Sequence, residues 1–286
     1  MTSTPFEPEL PDPETSRFER GDHEVRLYRW PKPGAPRLLL VHGIGMGHRT
    51  FDRFIEALLP HVEVIAVDLP GFGDSPEPER ALSMQGTAEL LAEAVLDLGP
   101  VVAVGHSMGA QVVVELAAAH PGLVDRVVCF APAVNAAERT VPRQALRMLQ
   151  DLFEGKPPIA IARGVIEYCK AGPRWFVKKL APTLEHRIED RLPEVRQPAL
   201  VLCGSRDRVT PPEWCLAVAR ILPRGEFGVL HGPGHEAMIA QGDEAAECVL
   251  RWLGRCSPPL SRRAPAGDHS PLIGVQAVRR SFGGRV

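Results

Sequence analysis

The chain has 286 residues, 44% hydrophobic and 24% charged, which is typical of a globular protein with a sizeable core. A formal net charge of −2 excludes a broad basic surface, so we expect a small-molecule substrate and neither a nucleic-acid nor a membrane partner. No signal-like start and no apolar run of spanning length is visible, which favours a cytoplasmic protein. The six cysteines form no C-x-x-C pair, so we expect no disulfide framework and no metal site.

The two ends differ in composition from the rest of the chain. Residues 1–16 are rich in Pro, Glu and Asp, and residues 257–286 are rich in Pro, Gly, Ser and Arg. Such segments bury too little apolar surface to order themselves. We therefore predict a disordered N-terminal tail and a disordered, basic C-terminal tail.

Between the tails the pattern predicts alternating strands and helices. Residues 17–20 and 24–30 flank a Gly-Asp pair and predict an antiparallel hairpin. Apolar residues at helical spacing predict helices over 51–59 and from Ser83 onward. Short apolar runs, typical of strands buried on both faces, occupy residues 37–41, 62–67, 101–104, 127–130, 199–202 and 227–230. This alternation predicts an α/β fold, a mainly parallel central sheet with helices on both faces, formed by residues 17–133 and 192–256.

Residues 134–191 interrupt the alternation. Their composition is helical but broken by several prolines, so we predict a helical cap inserted into the core. The cap is expected to roof a substrate pocket, although packing within the cap remains the alternative role for its apolar side chains. The residues expected to line the pocket are Leu146, Leu149, Phe153, Trp175 and Phe176.

The motif G-H-S-M-G at residues 105–109 lies directly between a predicted strand and a predicted helix. A serine in so sharp a turn exposes its hydroxyl at the helix N-terminus, and the flanking glycines let the helix and strand approach closely. Ser107 is therefore the candidate nucleophile. A glycine-rich helix start is the alternative interpretation.

Three further motifs accompany this turn. They are H-G-I-G at residues 42–45, D-L-P-G-F-G-D-S at residues 68–75, and a late Asp and His. With these four motifs in family order, the chain resembles the α/β-hydrolase superfamily over about residues 17–255. The resemblance implies the α/β-hydrolase fold and a serine hydrolase that needs no cofactor. Relatives that open epoxides or remove halide carry a carboxylate where this chain has Ser107.

A serine nucleophile needs a base to remove its proton and a carboxylate to orient that base. The superfamily order of Ser, acid and His implies Asp207 in G-S-R-D as the acid and His235 in G-P-G-H as the base. His231 is the nearest rival base, but it lies at a predicted strand end. The position after residues 127–130, where some relatives carry the acid, offers no carboxylate. The remaining acids are assigned to a loop that shapes the site and to the cap end: Asp68, Asp74 and Asp190.

The negative oxygen of an acyl-transfer intermediate needs backbone N–H donors. The resemblance implies that these come from Met108 and Ile44, with Gly45 as the alternative to Ile44. The nearby glycines also suggest a dinucleotide-binding loop. That motif requires glycine at position 48, where this chain has His48, so we reject it.

These residues predict a serine hydrolase that cleaves a carboxylic ester or related acyl compound through an acyl-enzyme intermediate. Thioesterase, carbon–carbon bond hydrolase and perhydrolase activities share the same motifs and stay open as alternatives. A ligand receptor that keeps the fold with little turnover is a further alternative, although such receptors usually lose part of the triad.

The predicted cap carries eleven Lys and Arg against seven Asp and Glu. Arg174 and Lys178 are four residues apart and would share a helix face, with Lys170 nearby. A solvated surface is the simpler explanation. The sharper hypothesis is that this face steers an anionic partner, either a carboxylated ester or an acyl carrier protein.

Overall fold

A computed structural model describes residues 10–153, 173–231, 234–256 and 276–277 of the chain. In these residues, nine strands form one sheet in the order β1-β2-β4-β3-β5-β6-β7-β8-β9. The neighbours from β4 to β8 are parallel, whereas β1, β2 and β9 pair antiparallel. The strands are β1 (Glu14–Arg20), β2 (His23–Trp30), β3 (Arg37–Val41), β4 (Glu63–Asp68), β5 (Val101–His106), β6 (Val124–Phe130), β7 (Ala199–Gly204), β8 (Gly225–Leu230) and β9 (Gln276–Ala277).

The described helices connect these strands. None of them is long and apolar enough to cross a membrane. Their bounds are α1 (Asp52–Leu58), α2 (Met84–Val95), α3 (Met108–Ala119), α4 (Val141–Phe153), α5 (Pro173–Glu185), α6 (Ile188–Arg191), α7 (Pro212–Ile221), α8 (Ala237–Ala240) and α9 (Gly242–Cys256). Ser83 precedes α2 as predicted, and its hydroxyl accepts the Gly86 N–H at 3.0 Å as an N-cap.

Strand β3 illustrates why both faces of the sheet are covered. Side chains alternate between faces along a strand, and the four residues from Leu38 to Val41 are fully buried. Leu39 and Val41 pack into the core that includes α2, α3 and α7. Leu38 and Leu40 pack into the opposite core, with α1 and α9. The predicted continuous apolar strand is confirmed.

The observed ends differ from the predicted tails. Strand β1 begins at Glu14, inside the segment 1–16 that was expected to be disordered. Two contacts extend the ordered chain further: the Trp30 indole N–H donates to the Pro11 carbonyl at 2.6 Å, and Leu10 packs against the core. At the other end, β9 pairs with β8 inside the predicted tail 257–286. Residues 1–9, 257–275 and 278–286 lie outside the described residues.

Helices α4, α5 and α6 stand between β6 and β7, where the cap was expected. Polar contacts attach α5 and α6 to the core. The Lys179 ammonium on α5 donates to the Thr87 hydroxyl on α2 at 3.1 Å. Glu115, on α3, accepts hydrogen bonds from His186 at 2.7 Å and from Arg191 at 2.9 Å. Helix α5 is therefore joined to α2, and α6 with the residue His186 before it is joined to α3, the helix that follows Ser107.

Candidate active site

Ser107 occupies a strained turn between β5 and α3. Its φ of 54° and ψ of −115° are rare for a residue with a side chain, and such strain is concentrated at functional sites. A Cβ on Gly105 would overlap the backbone of Gly109, and one on Gly109 would overlap the Val41 carbonyl. Glycines at both positions therefore allow α3 to pack directly against β3 and β5.

The structure brings the three predicted catalytic side chains together at the carboxyl end of the sheet. Ser107 follows β5, Asp207 follows β7 and His235 follows β8. His235 Nε2 lies 2.9 Å from the Ser107 Oγ, and His235 Nδ1 lies 3.0 Å from an Asp207 carboxylate oxygen. This series of contacts can pass a proton from the serine hydroxyl to the imidazole.

Asp207 is held as a carboxylate by hydrogen bonds within its own turn. The N–H groups of Val209 and Thr210 each donate to one oxygen at 2.8 Å, and the Thr210 hydroxyl donates to the other at 2.6 Å. Burial favours the neutral acid, but His235 and these donors lower the pKa of Asp207 below its usual range. Sequence reasoning missed Thr210, although the Asp-x-x-Thr spacing is typical of such a turn.

The protonation of His235 is controlled by opposing effects. Burial disfavours the imidazolium, but the Asp207 carboxylate, helped by Asp151 and Glu236, raises the pKa of His235 above its ordinary value. The neighbouring His106 behaves differently, because burial lowers its pKa to about 4. His106 is therefore neutral, and its Nε2 lies 3.1 Å from the His235 carbonyl, within hydrogen-bonding distance.

A cavity lies over Ser107 and His235. The loop after β3 forms one side, and helices α4 and α5 form the roof. Among the described residues its wall carries no Lys, Arg, Asp or Glu. The other lining residues are Gly43, Ile44, Met46, Ala133, Val134, Gln144, Met148, Leu180, Thr183, Leu184 and Val209.

Three of the residues expected to line the pocket, Leu146, Leu149 and Trp175, lie elsewhere, and α4 shows why. Its face with Gln144 and Met148 meets the cavity, so Leu146 and Leu149 project away and are 51% and 52% exposed. Trp175 is buried instead against Phe72, with ring centroids 6.2 Å apart.

Of the two other expected pocket residues, only Phe176 has a described side chain. Phe176 is half-buried and is absent from the cavity lining. Phe153 ends α4, and its side chain lies outside the described residues. Of the cap, the described wall therefore uses mainly smaller or more flexible side chains on the inner faces of α4 and α5.

The expected oxyanion donors flank Ser107. Met108 is the first residue of α3, directly after Ser107, and Ile44 lines the cavity beside it. His42 braces the Ile44 loop: its Nδ1 lies 2.7 Å from the Gly43 carbonyl, and its Nε2 accepts the Leu69 N–H at 3.1 Å. Burial lowers the pKa of His42, so the neutral tautomer supports both contacts.

Asp68 and Asp74 belong to a hydrogen-bonded network behind the site. Asp68 accepts the His48 N–H at 2.6 Å and the Tyr28 hydroxyl at 3.1 Å. His48, Asp68 and Asp74 could together offer three metal ligands. Hydrogen bonds already occupy the Asp68 carboxylate. We therefore assign these three residues a structural role, which is to join the loops after β3 and β4.

The two remaining rivals lie at the surface. His231 comes directly after β8 and is exposed. Asp190 is also exposed and pairs with Arg187 at 3.0 Å.

Comparison with known proteins places this site in a family. Residues 38–248 match the alpha/beta hydrolase family, which is more than half of the chain. The protein therefore belongs to the α/β-hydrolase family, as the resemblance implied, and it is a hydrolase.

Its relatives include several named enzymes. The chain is 27% identical over 246 residues to a poly(3-hydroxyalkanoate) depolymerase of Ectopseudomonas oleovorans, covering 78% of this chain and 87% of that protein. It is 26% identical to a pimeloyl-[acyl-carrier protein] methyl ester esterase of Vibrio vulnificus, over 79% of this chain and 98% of that one. A crystal structure of a hydrolase from Pseudomonas aeruginosa has the same fold, with a TM-score of 0.72 at 20% identity, covering 84% and 98% of the two chains.

Proposed function

We propose that the protein is a carboxylic-ester hydrolase in which Ser107 is the nucleophile, His235 the general base and Asp207 the acid that orients the base. One observation carries the proposal. The Ser107 hydroxyl lies 2.9 Å from His235 Nε2, and both residues line an apolar cavity. Two relatives named for depolymerase and methyl ester esterase activities support ester cleavage as the chemistry.

In the proposed acylation, His235 Nε2 takes the hydroxyl proton as Ser107 Oγ bonds to the ester carbonyl carbon. The carbonyl electron pair moves to oxygen, where the N–H groups of Met108 and Ile44 stabilise the charge by about 3–4 kcal/mol each. The bond to the alcohol then breaks, and the imidazolium gives its proton to the leaving oxygen. A water molecule activated by His235 hydrolyses the acyl-enzyme in the same way, releasing the acid and restoring Ser107.

The lining of the cavity supports a neutral, apolar acyl group. A charged substrate group placed against this wall would lose its hydration without gaining a counterion from the described residues. This disfavours a substrate with a free carboxylate on its acyl group relative to a neutral ester. A panel of neutral chromogenic esters should therefore be hydrolysed with an optimum in acyl length, and matched esters with a terminal carboxylate should react more slowly.

A second candidate substrate is an acyl group presented on an acyl carrier protein. The relative from Vibrio vulnificus is named for an ester on such a carrier. In that case only the acyl chain would enter the apolar cavity, and the acidic carrier would stay outside against the cap, which has an excess of four positive residues. The chemistry at Ser107 would be the same.

The Ser107→Ala substitution tests the proposal. Because the hydroxyl forms the covalent intermediate, kcat on a chromogenic ester should fall on the order of 10⁴–10⁶-fold, and His235→Ala should cost a similar factor. Circular dichroism and thermal melting should show that both variants fold. A folded Ser107→Ala variant with wild-type activity would refute the nucleophile.

A fluorophosphonate probe separates the enzyme from a ligand receptor of the same fold. The wild-type protein should be labelled rapidly, the Ser107→Ala variant should not, and unlabelled protein should complete many turnovers. Labelling with at most one turnover would instead favour the receptor.

A further inference from the structure

A second carboxylate contacts the loop that carries His235. Asp151, in cap helix α4, is only 4% exposed, and one of its oxygens accepts the backbone N–H of His235 at 2.8 Å. The two residues are 84 positions apart. A charge-assisted hydrogen bond to the backbone therefore joins the cap directly to the candidate base.

The loop before His235 is shaped around this carboxylate. Gly234 has a φ of +53°, and a Cβ at this position would overlap the carboxylate of Asp151. Glycine is thus required at this position for two reasons, the left-handed backbone conformation and the close approach of the cap side chain. The motif glycine before the histidine therefore makes room for a cap residue.

The position of α4 links this contact to the cavity. Gln144, Met148 and Asp151 have the i, i+4, i+7 spacing of one helix face. The first two line the cavity, and the third binds the His235 N–H. A shift of α4 away from the cavity would remove the acceptor from the His235 backbone at the same time.

We infer that Asp151 is a positioning residue that holds His235 within hydrogen-bonding distance of Ser107. The alignment of the base therefore depends on the position of cap helix α4. The inference rests on the proposed function, because it assigns Asp151 a role through His235. Asp151 acts on the base in two ways. Its oxygen fixes the loop, and its negative charge favours the imidazolium that forms during acyl transfer.

Other charged or titratable groups also face His235. Asp207 contacts its Nδ1 from the turn after β7, and Glu236 follows it on the same loop. His106 contacts its carbonyl from the end of β5. Asp151→Asn leaves these groups in place and keeps an acceptor for the loop, so a shift in the pH profile of this variant reports the Asp151 charge.

Asp151→Ala and Asp151→Asn separate the two effects, with Gln150→Ala as a matched control on the exposed side of α4. Misplacement of the base should lower kcat of Asp151→Ala about 10²-fold. KM should change little, because Asp151 is not part of the cavity wall. The Asn side chain keeps an acceptor oxygen and should restore most of this kcat.

Both Asp151 variants lose the charge, so the acid limb of kcat/KM should move to lower pH in each, while Gln150→Ala stays at wild type.

The measurements are kcat, KM and kcat/KM against pH on one neutral chromogenic ester, with thermal melting as the check on folding. A folded Asp151→Ala variant with wild-type kcat and an unmoved acid limb overturns the inference. If Asp151→Ala does not fold, an unmoved acid limb in Asp151→Asn overturns it instead. Ser107→Ala is measured alongside. If Ser107→Ala is inactive and the Asp151 variants behave as wild type, only the inference is rejected. If Ser107→Ala is active, the proposed function is rejected.

Discussion

His235 combines burial with a nearby anion, and the two effects act in opposite directions on its charge. A buried imidazole that is not paired with a carboxylate is neutral, as the lowered pKa of His106 at the end of β5 illustrates. The Asp207 carboxylate reverses this preference and raises the pKa of His235. The proposed base is therefore a stronger proton acceptor than an isolated histidine, which suits removal of a serine proton.

The raised pKa of His235 predicts the pH dependence of hydrolysis. The base must be neutral, so kcat/KM should be high at alkaline pH and fall as the pH drops through the pKa of His235 in the folded protein. Because that pKa is raised, the inflection should lie above the ordinary histidine value of about 6.5. Initial rates on a neutral ester over a broad pH range provide the measurement. A flat profile with intact fold and binding would contradict a histidine base.

The residues of the site differ in how well the sequence predicts them. Ser107, Asp207 and His235 each occupy a motif position after a strand, and the structure brings them within hydrogen-bonding distance. Thr210 could have been predicted from its spacing to Asp207, but sequence reasoning missed it. Asp151 has no such signal, because it lies on a helix whose contact with the His235 loop depends on how the cap docks.

At the scale of elements, the glycines of the turn around Ser107 determine how closely strand and helix pack. Gly109 faces the carbonyl of Val41, whereas Gly122, after α3, has open space where a Cβ would stand. The two glycines therefore differ in their tolerance of a methyl group although both are near α3.

Gly109→Ala should destabilise the protein by about 1–3 kcal/mol, the usual cost of overpacking, and should displace Ser107 from His235. Gly122→Ala is the control and should leave the free energy of unfolding nearly unchanged. Urea denaturation of both variants, with ester hydrolysis measured in parallel, checks the difference. Equal stability of the two variants would mean that α3 does not pack against β3 as closely as described.

The strands were well predicted where continuous apolar runs match burial on both faces. The buried face of a helix was poorly predicted where the surrounding residues, rather than hydrophobic spacing, determine it. The apolar runs predict β3 to β7 because both faces of the parallel strands are buried. Helix α4 misleads, because its buried face includes the polar Gln144 and Asp151 while Leu146 and Leu149 are exposed. Hydrophobic spacing alone therefore predicts the wrong buried face for a helix whose polar side chains contact the site.

At the scale of the whole molecule, the positive excess of the cap is partly neutralised within the described residues. Lys178 pairs with Glu77 of the core at 3.0 Å, and Arg191 pairs with Glu115 of α3 at 2.9 Å. Three further cations pair with carboxylates of the cap itself, which leaves the excess unchanged: Arg139, Arg147 and Arg187. Lys156, Arg163, Lys170 and the side chain of Arg174 lie outside the described residues. Arg143 is exposed, and its guanidinium donates to the backbone carbonyl of Ala137 at 2.9 Å, so we choose it as the described cation that tests attraction of an anionic partner.

If the cap steers an acidic acyl carrier protein, charge reversal at Arg143 should slow encounter with that substrate. Arg143→Glu should therefore lower kcat/KM for a carrier-bound ester at low salt and leave hydrolysis of a small neutral ester unchanged, because surface charges act mainly on association rate. The difference should vanish at about 1 M salt, where the Debye length is about 3 Å. Arg220→Glu makes the same charge change on an exposed residue of core helix α7 and should have no selective effect. Equal losses on both substrates at every salt concentration would contradict steering and leave the cap charges as a solvated surface.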